Sequence, residues 1–201
     1  MKIICIGRNY QEHTKEMGAD IPQKPVFFMK PDTALLKENR FYYPSFTQDL
    51  HYECEIVVKI SKTGKNIDER FAHKYYNEIS LGIDFTARDL QSECKKNGLP
   101  WELAKSFDNS APIAEKWLDI SKVTLPIHFE FLQNNVLKQT SNSAEMLFSI
   151  EQIIAYVSKF ITLKTGDLIY TGTPAGVGPV AIGDKLIGKI EGEQMFEFDV
   201  H

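Results

Sequence analysis

The chain has no excess of positive charge, few cysteines and no long apolar run, and each shortage closes off a class of function. Its 201 residues carry 23 Lys and Arg against 27 Asp and Glu, a formal charge of -4. Without a basic footprint, nucleic acid is not an expected partner. Cys5, Cys54 and Cys94 are far apart, odd in number and form no CxxC pair. That usage argues against zinc or dithiol chemistry and for reduced thiols in a reducing compartment. Apolar residues at the N-terminus run only from Ile3 to Ile6, which is short for a signal peptide. No stretch approaches the roughly 18 residues that cross a bilayer. A cytoplasmic protein with no membrane partner is expected. There is no internal repeat, low-complexity tract or linker, and the length suits one domain over residues 1–201.

What is present is a series of β-branched and aromatic runs separated by Gly, Asn and Asp turns. They predict strands over Lys2–Ile6, Val26–Met29, Glu53–Ile60, Ile79–Phe85, Pro126–Gln133, Asp167–Thr171, Lys185–Ile190 and Met195–Val200. Helices are predicted over Asp68–Tyr76, Thr86–Asn97 and Ser149–Phe160. The second stops before Gly98, and the third opens with a Ser149/Gln152 capping box. Strands and helices do not alternate regularly, which argues against a doubly wound sheet or β/α barrel. The expected class is β-rich α+β.

One stretch, "HYECEIVV" from His51 to Val58, places like charges on alternate positions ahead of an apolar run. In an extended strand His51, Glu53 and Glu55 share a face. Either that face is solvated, or the carboxylates serve a divalent cation. Asp84 adds a third acid at the end of the run from Ile79 to Ile83, although it is equally placed to cap the following helix. Three carboxylates without Cys or His select a hard cation, Mg²⁺ first, with Mn²⁺ or Ca²⁺ able to substitute.

Other candidates are weaker alone. His13 and Glu16 share a face on a helix and fit a dyad that activates water, or an ordinary surface pair. Arg8 offers a fork of donors for a substrate carboxylate. Lys105, among Trp101, Leu103, Ala104 and Phe107, either meets an anion or carries its ammonium out to water. The loop "TGTPAGVG" from Thr171 to Gly178 lets backbone N–H groups approach an anion. It lacks the signatures of a phosphate loop or dinucleotide site, so no nucleotide is implied.

Taken together, "GRNYQEHTKEM", "FFMKPDTAL", "HYECEIVV", "GIDFTARDLQSECKKNGLPWELAKSFDNSAP" and "FSIEQIIAYVSKFITLKTGDLIYTGTPAGVGPV" resemble the fumarylacetoacetate hydrolase family, most closely its small acylpyruvase/oxaloacetate-decarboxylase branch. The resemblance runs nearly end to end. It implies a mixed β-sandwich roll, a homodimer, and Mg²⁺ or Mn²⁺ held by Glu53, Glu55 and Asp84. It further implies that His13 and Glu16 form a water-activating dyad on a lid over residues 8–20. Lys105 would neutralise the substrate anion, and Arg8, Gln91 and Thr173 would contact substrate. The implied chemistry is an enolate formed from a short 2-oxo acid, foremost by acylpyruvate cleavage or oxaloacetate decarboxylation, with a tautomerase or isomerase acting on oxaloacetate or a longer unsaturated dioic acid as the alternative. A carboxylate-binding scaffold without catalysis is the alternative of another class.

Overall fold

The computed structural model describes residues 1–18 and 20–201. Ala19, inside the expected lid segment, lies outside the described residues. Two mixed sheets dominate. The larger has six strands in the order Leu118–Asp119, Tyr76–Ile83, Cys54–Ile60, Leu168–Tyr170, Ile3–Gly7 and Val26–Lys30. The second has five, in the order Val136–Asn142, His128–Gln133, Lys185–Ile190, Glu193–Val200 and Arg40–Phe41. A small sheet joins Gly178–Pro179, Leu50–Tyr52 and Thr86–Ala87. The class is the sheet-rich one read from the sequence, with a few packed helices.

The Cys54–Ile60 strand shows why acids end up inside. It lies between neighbours on both sides and is covered on both faces. Ile56, Val58 and Ile60 join the larger apolar cluster, which also takes Leu81, Phe129 and Phe196. Val57, on the opposite face, packs with Ile3, Cys5, Leu168 and Tyr170. Each fully buried aliphatic side chain contributes about 1.5–3 kcal/mol, so this strand is fixed by its apolar members. Glu55 shares the face of Val57 and is carried inside with it. The two main sheets meet closely at Gly188, where a Cβ would stand 2.7 Å from Leu81 and 2.3 Å from the Phe196 ring.

The Ile150–Ser158 helix begins with the Ser149/Gln152 capping box, both hydrogen bonds present. The Arg88–Asn97 helix ends at Gly98, whose φ of 65° is the left-handed C-terminal turn. It starts two residues later than the spacing predicts, because Thr86 and Ala87 pair with Leu50 and His51 in the small sheet. The predicted Asp68–Tyr76 helix divides into an α turn, Glu69–Ala72, and a 3₁₀ turn, His73–Tyr75. The strand Val136–Asn142 was not expected. Its buried positions include the polar Gln139 and Ser141, so hydrophobic alternation is missing.

Candidate functional site

Three carboxylates converge where strands end. Glu53 lies at the break between Leu50–Tyr52 and Cys54–Ile60, Glu55 is on the second of these, and Asp84 directly follows Tyr76–Ile83. Backbone pairing aligns them: Asp84 N–H donates to the Glu53 carbonyl at 2.8 Å, and Glu55 lies opposite Gly82. Ligand atoms of all three come within 4.8 Å of one another. Their exposures are 7%, 1% and 1%, so the solvated polar face allowed by the sequence does not exist. Asp84 is no helix cap either. The Arg88–Asn97 helix has Ala87 at its N-cap, without a side-chain cap bond.

Cations surround the acids. Lys105 Nζ lies 2.8 Å from both Glu53 Oε2 and Asp84 Oδ2, and also donates to Thr86 Oγ1. Its surroundings are therefore a polar cage at the end of the short Glu102–Lys105 helix, in place of the apolar pocket its local sequence suggests. Arg88 donates to Glu53 Oε1 at 2.7 Å and to Gln91 Oε1 at 2.7 Å. Lys30 lies 2.8 Å from Asp84 Oδ1 and donates to the carbonyls of Phe85, Lys105 and Ser110. Burial alone would push Glu53 up, but Lys105 and Arg88 outweigh it and hold this carboxyl below the usual range. Glu55 goes the other way: burial, then Asp84 and Glu53, push it well above that range. For Lys105, burial opposes the charged form, and the carboxylates of Asp84 and Glu53 reverse this and raise it.

The arrangement fits a divalent cation. Asp84 Oδ1 is buried and accepts no aligned hydrogen bond, despite its proximity to Lys30. Glu55, crowded by two other acids, has its charged form disfavoured until a further positive charge arrives. The donors are hard carboxylate oxygens, the set that suits Mg²⁺, Mn²⁺ or Ca²⁺.

Above these acids sits the helix Gln11–Glu16. His13 Nδ1 is 3.0 Å from Glu16 Oε2, and Glu16 Oε1 accepts from the Gly176 N–H at 3.1 Å. The "TGTPAGVG" loop thus does present N–H groups to anions, and both anions belong to this chain. Gly172 N–H donates to Glu55 Oε2 at 2.7 Å, so one loop touches the acid floor and the helix above it. Gly172 has φ 101° and would place a Cβ 2.7 Å from the Asn9 Cβ, a position only glycine fits.

One cleft of about 50 Å³ is lined by Arg8, His13, Glu53, Glu55, Asp84, Gln91, Lys105 and Thr173, together with Phe28, Arg88, Lys95 and Trp101. Glu16 stands behind His13. Arg8 has φ 60°, a left-handed conformation uncommon outside glycine and frequent at functional sites. The Thr173 hydroxyl donates to the Cys54 carbonyl at 2.9 Å and accepts from Gln139 Nε2 at 2.8 Å. His51 does not share the cleft. The chain changes sheets at Glu53, and His51 Nε2 meets Asp49 Oδ1 at 2.8 Å instead.

Sequence reasoning missed four contributors: Lys30, Arg88, Asn9 and Gln139. Asn9 ties the stem of the short helix to Thr171 and Phe148, and Gln139 clamps Thr173 and Pro174. Lys30 sits inside a quoted motif, and its signal was a lysine closing the apolar run "VFFM". Arg88, Gln91 and Lys95 recur at helical spacing in "TARDLQSECK", which was the signal for Arg88. Asn9 and Gln139 had none.

A sheet-rich fold whose carboxylates gather at strand ends beneath a short helix defines the class, and comparison with known proteins names it. The family described as Fumarylacetoacetate (FAA) hydrolase C-terminal matches residues 2–197, and the chain belongs to it. It is 43% identical over 201 residues to "Oxaloacetate tautomerase FAHD1, mitochondrial" of Mus musculus, covering 98% of this chain and 90% of that protein. It is 40% identical over 201 residues to "Oxaloacetate tautomerase YcgM" of Escherichia coli (strain K12), covering 96% and 90%. The crystal structure of fumarylpyruvate hydrolase from Pseudomonas aeruginosa in complex with Mn²⁺ and pyruvate superposes with TM-score 0.94 at 35% identity, covering 100% and 89%. Among the described residues, no helix is long and apolar enough to cross a membrane.

Proposed function

We propose that this chain is a divalent-metal-dependent enzyme acting on short 2-oxo acids through an enolate. Tautomerisation of oxaloacetate is the leading reaction, and acylpyruvate cleavage or oxaloacetate decarboxylation are further outlets of the same site. The observation that carries the reading is the buried triad Glu53, Glu55 and Asp84, bridged by Lys105 and roofed by the His13–Glu16 pair. Similarity to two oxaloacetate tautomerases supports placing tautomerisation ahead of cleavage. The similar fumarylpyruvate hydrolase, crystallised with Mn²⁺ and pyruvate, supports both the metal and the second outlet.

Glu53, Glu55 and Asp84 would hold the cation, Mg²⁺ or Mn²⁺. Bound there, it supplies Lewis acidity that favours charge on the 2-oxo acid's oxygens. The rest falls to side chains. Lys105 Nζ, already shared between two carboxylates, turns toward substrate oxygen as that charge develops. Arg8 binds the carboxylate, while Gln91 and Thr173 orient the chain. His13 Nδ1 is engaged by Glu16, which leaves Nε2 as the proton-carrying atom. In tautomerisation Nε2 removes a C3 proton and the C2 oxygen gains one, or the reverse. In cleavage it deprotonates the water that attacks the distal carbonyl, the C3–C4 bond breaks, and the departing pyruvate enolate takes that proton at C3.

We include in the proposal a lid over residues 8–20 on a single catalytic unit, assembled as a homodimer. The test is a panel of enol and keto oxaloacetate, acylpyruvates and longer unsaturated dioic acids, run with Mg²⁺ or Mn²⁺ and again after chelation. Metal-dependent interconversion of the oxaloacetate tautomers is the expected result. Full activity after exhaustive chelation, or no activity on any member, contradicts the reading.

A further inference from the structure

The cleft is lined by one cation, Lys95, that the chemistry above does not use. The helix Arg88–Asn97 sends Arg88, Gln91 and Lys95 to the cleft, at i, i+3 and i+7, one face of an α-helix. Arg88 is committed to Glu53 and Gln91. Lys105 is committed to Glu53 and Asp84. Among the described residues, Lys95 and Arg8 line the same cleft without a carboxylate in ion-pair distance. At 1.5 Å per residue, Lys95 stands about 10 Å along the helix axis from Arg88. Lys95 is exposed where Arg88 is half-buried, which puts it on the solvent side of the cleft. Partial burial, then the positive charges of Arg88 and Arg8, lower the Lys95 ammonium below the usual lysine value. Glu53 is the one carboxylate opposing these charges at Lys95, so the cationic excess favours an anion that enters between them.

Part of the cleft wall is apolar. Trp101 lies against Phe28 with ring centroids 6.0 Å apart, and Lys95 Nζ is 5.7 Å from the Trp101 ring centroid. Four lining cations, Arg8, Arg88, Lys95 and Lys105, face only three lining carboxylates. A bound divalent ion would add to the positive side. A monoanionic 2-oxo acid leaves that surplus largely uncompensated, and a dianion with its second charge at the mouth reduces it.

Resting on the function proposed above, we infer that Lys95 is a specificity-determining residue that binds the remote carboxylate of dianionic 2-oxo acids, their carbon chain lying along Phe28 and Trp101.

The test compares two ligands of equal length that differ in one charge: 2-oxoadipate, which has the remote carboxylate, and 2-oxohexanoate, which has a methyl there. Dissociation constants are measured by titration calorimetry on the Mn²⁺-loaded full chain at low ionic strength, for wild type, Lys95→Gln and Lys95→Arg. The preference of wild type for the dianion should be tenfold or more. It should fall about tenfold in Lys95→Gln and be largely restored in Lys95→Arg. Added salt should shrink it in wild type, because the contact is at the rim. A preference in Lys95→Gln within twofold of wild type overturns the assignment. So does an equal loss for both ligands, which would mark Lys95 as structural. If wild type binds neither ligand, the 2-oxo acid function falls first and this inference falls with it.

Discussion

The acid floor and the helix above it are built to different standards of rigidity. Glu53, Glu55 and Asp84 sit on or beside central strands whose apolar neighbours are fully buried. Each is engaged by at least one further group: Arg88 and Lys105 on Glu53, Lys30 and Lys105 on Asp84, the Gly172 N–H on Glu55. His13 and Glu16 ride on a six-residue helix without a side-chain cap. Among the described residues, Glu16's link to the body is one 3.1 Å bond from the Gly176 N–H. A helix that short has little stability of its own and depends on what it docks against. The difference suits a division of labour, in which a floor that must hold charge in fixed geometry is made from core. The proposed roof is tied at its stem, where Asn9 bonds Thr171 and Phe148, and at its far end by the Gly176–Glu16 bond.

The largest expected effect separates the two regions. His13→Ala should reduce tautomerisation and acylpyruvate cleavage by the general-base factor of about 10²–10⁴. Oxaloacetate decarboxylation, which needs charge stabilisation and no base, should fall much less. Single-turnover measurements keep lid motion out of the comparison. An equal reduction of all three reactions would mean that the helix only closes the site.

Next comes the floor. Lys30 is 1% exposed, ion-paired to Asp84 and bonded to three carbonyls. Lys30→Met leaves those acceptors and one carboxylate short of a partner, and breaking a buried pair costs about 3–5 kcal/mol. Urea denaturation should report a loss of that order. A loss below about 1 kcal/mol, the range of a surface pair, would show that the floor is not braced as described.

The smallest effect is expected at Asp184, which belongs to neither region. Asp184 accepts from Ala181 N–H, Asn134 and Gln133. Burial opposes these bonds but does not overcome them, and the carboxyl is held below its usual 3.8. The folded form thus binds fewer protons there than the unfolded chain. The stabilisation is complete above the unfolded value and is lost as pH falls through the lower folded one. Asp184→Asn should therefore lower Tm slightly at neutral pH and lose that deficit in acid. A Tm difference that grows on acidification would contradict the sign.

Sequence alone conveyed the parts whose cause is local. The Ser149/Gln152 box, the stop at Gly98 and the Lys185–Ile190 strand, whose bounds match the expectation, depend on neighbours a few residues away. Glu53, Glu55 and Asp84 could be picked out by type and placement at strand ends. What could not be seen was their bracing. Lys30 reaches Asp84 across 54 positions and Ser110 across 80, and Gln139 reaches Cys54 across 85. No periodicity reports such pairs. His51 misled for a related reason: two strands of different sheets abut at Glu53, and strict alternation through that point does not hold. Gln139 and Ser141 hid a strand because its inward positions are polar.

The central claim is that a rigid acid floor binds the cation independently of the roof. Titration calorimetry of Mn²⁺ into wild type, Glu55→Gln and His13→Ala tests it directly. Glu55→Gln keeps the shape and removes one ligand charge. Altering even an outer partner of a metal site typically costs 10–100-fold in affinity, so losing a ligand oxygen should cost about 100-fold or more. His13→Ala should bind within about twofold of wild type. Full Mn²⁺ affinity in Glu55→Gln, or a loss in His13→Ala as large as that in Glu55→Gln, would contradict the account.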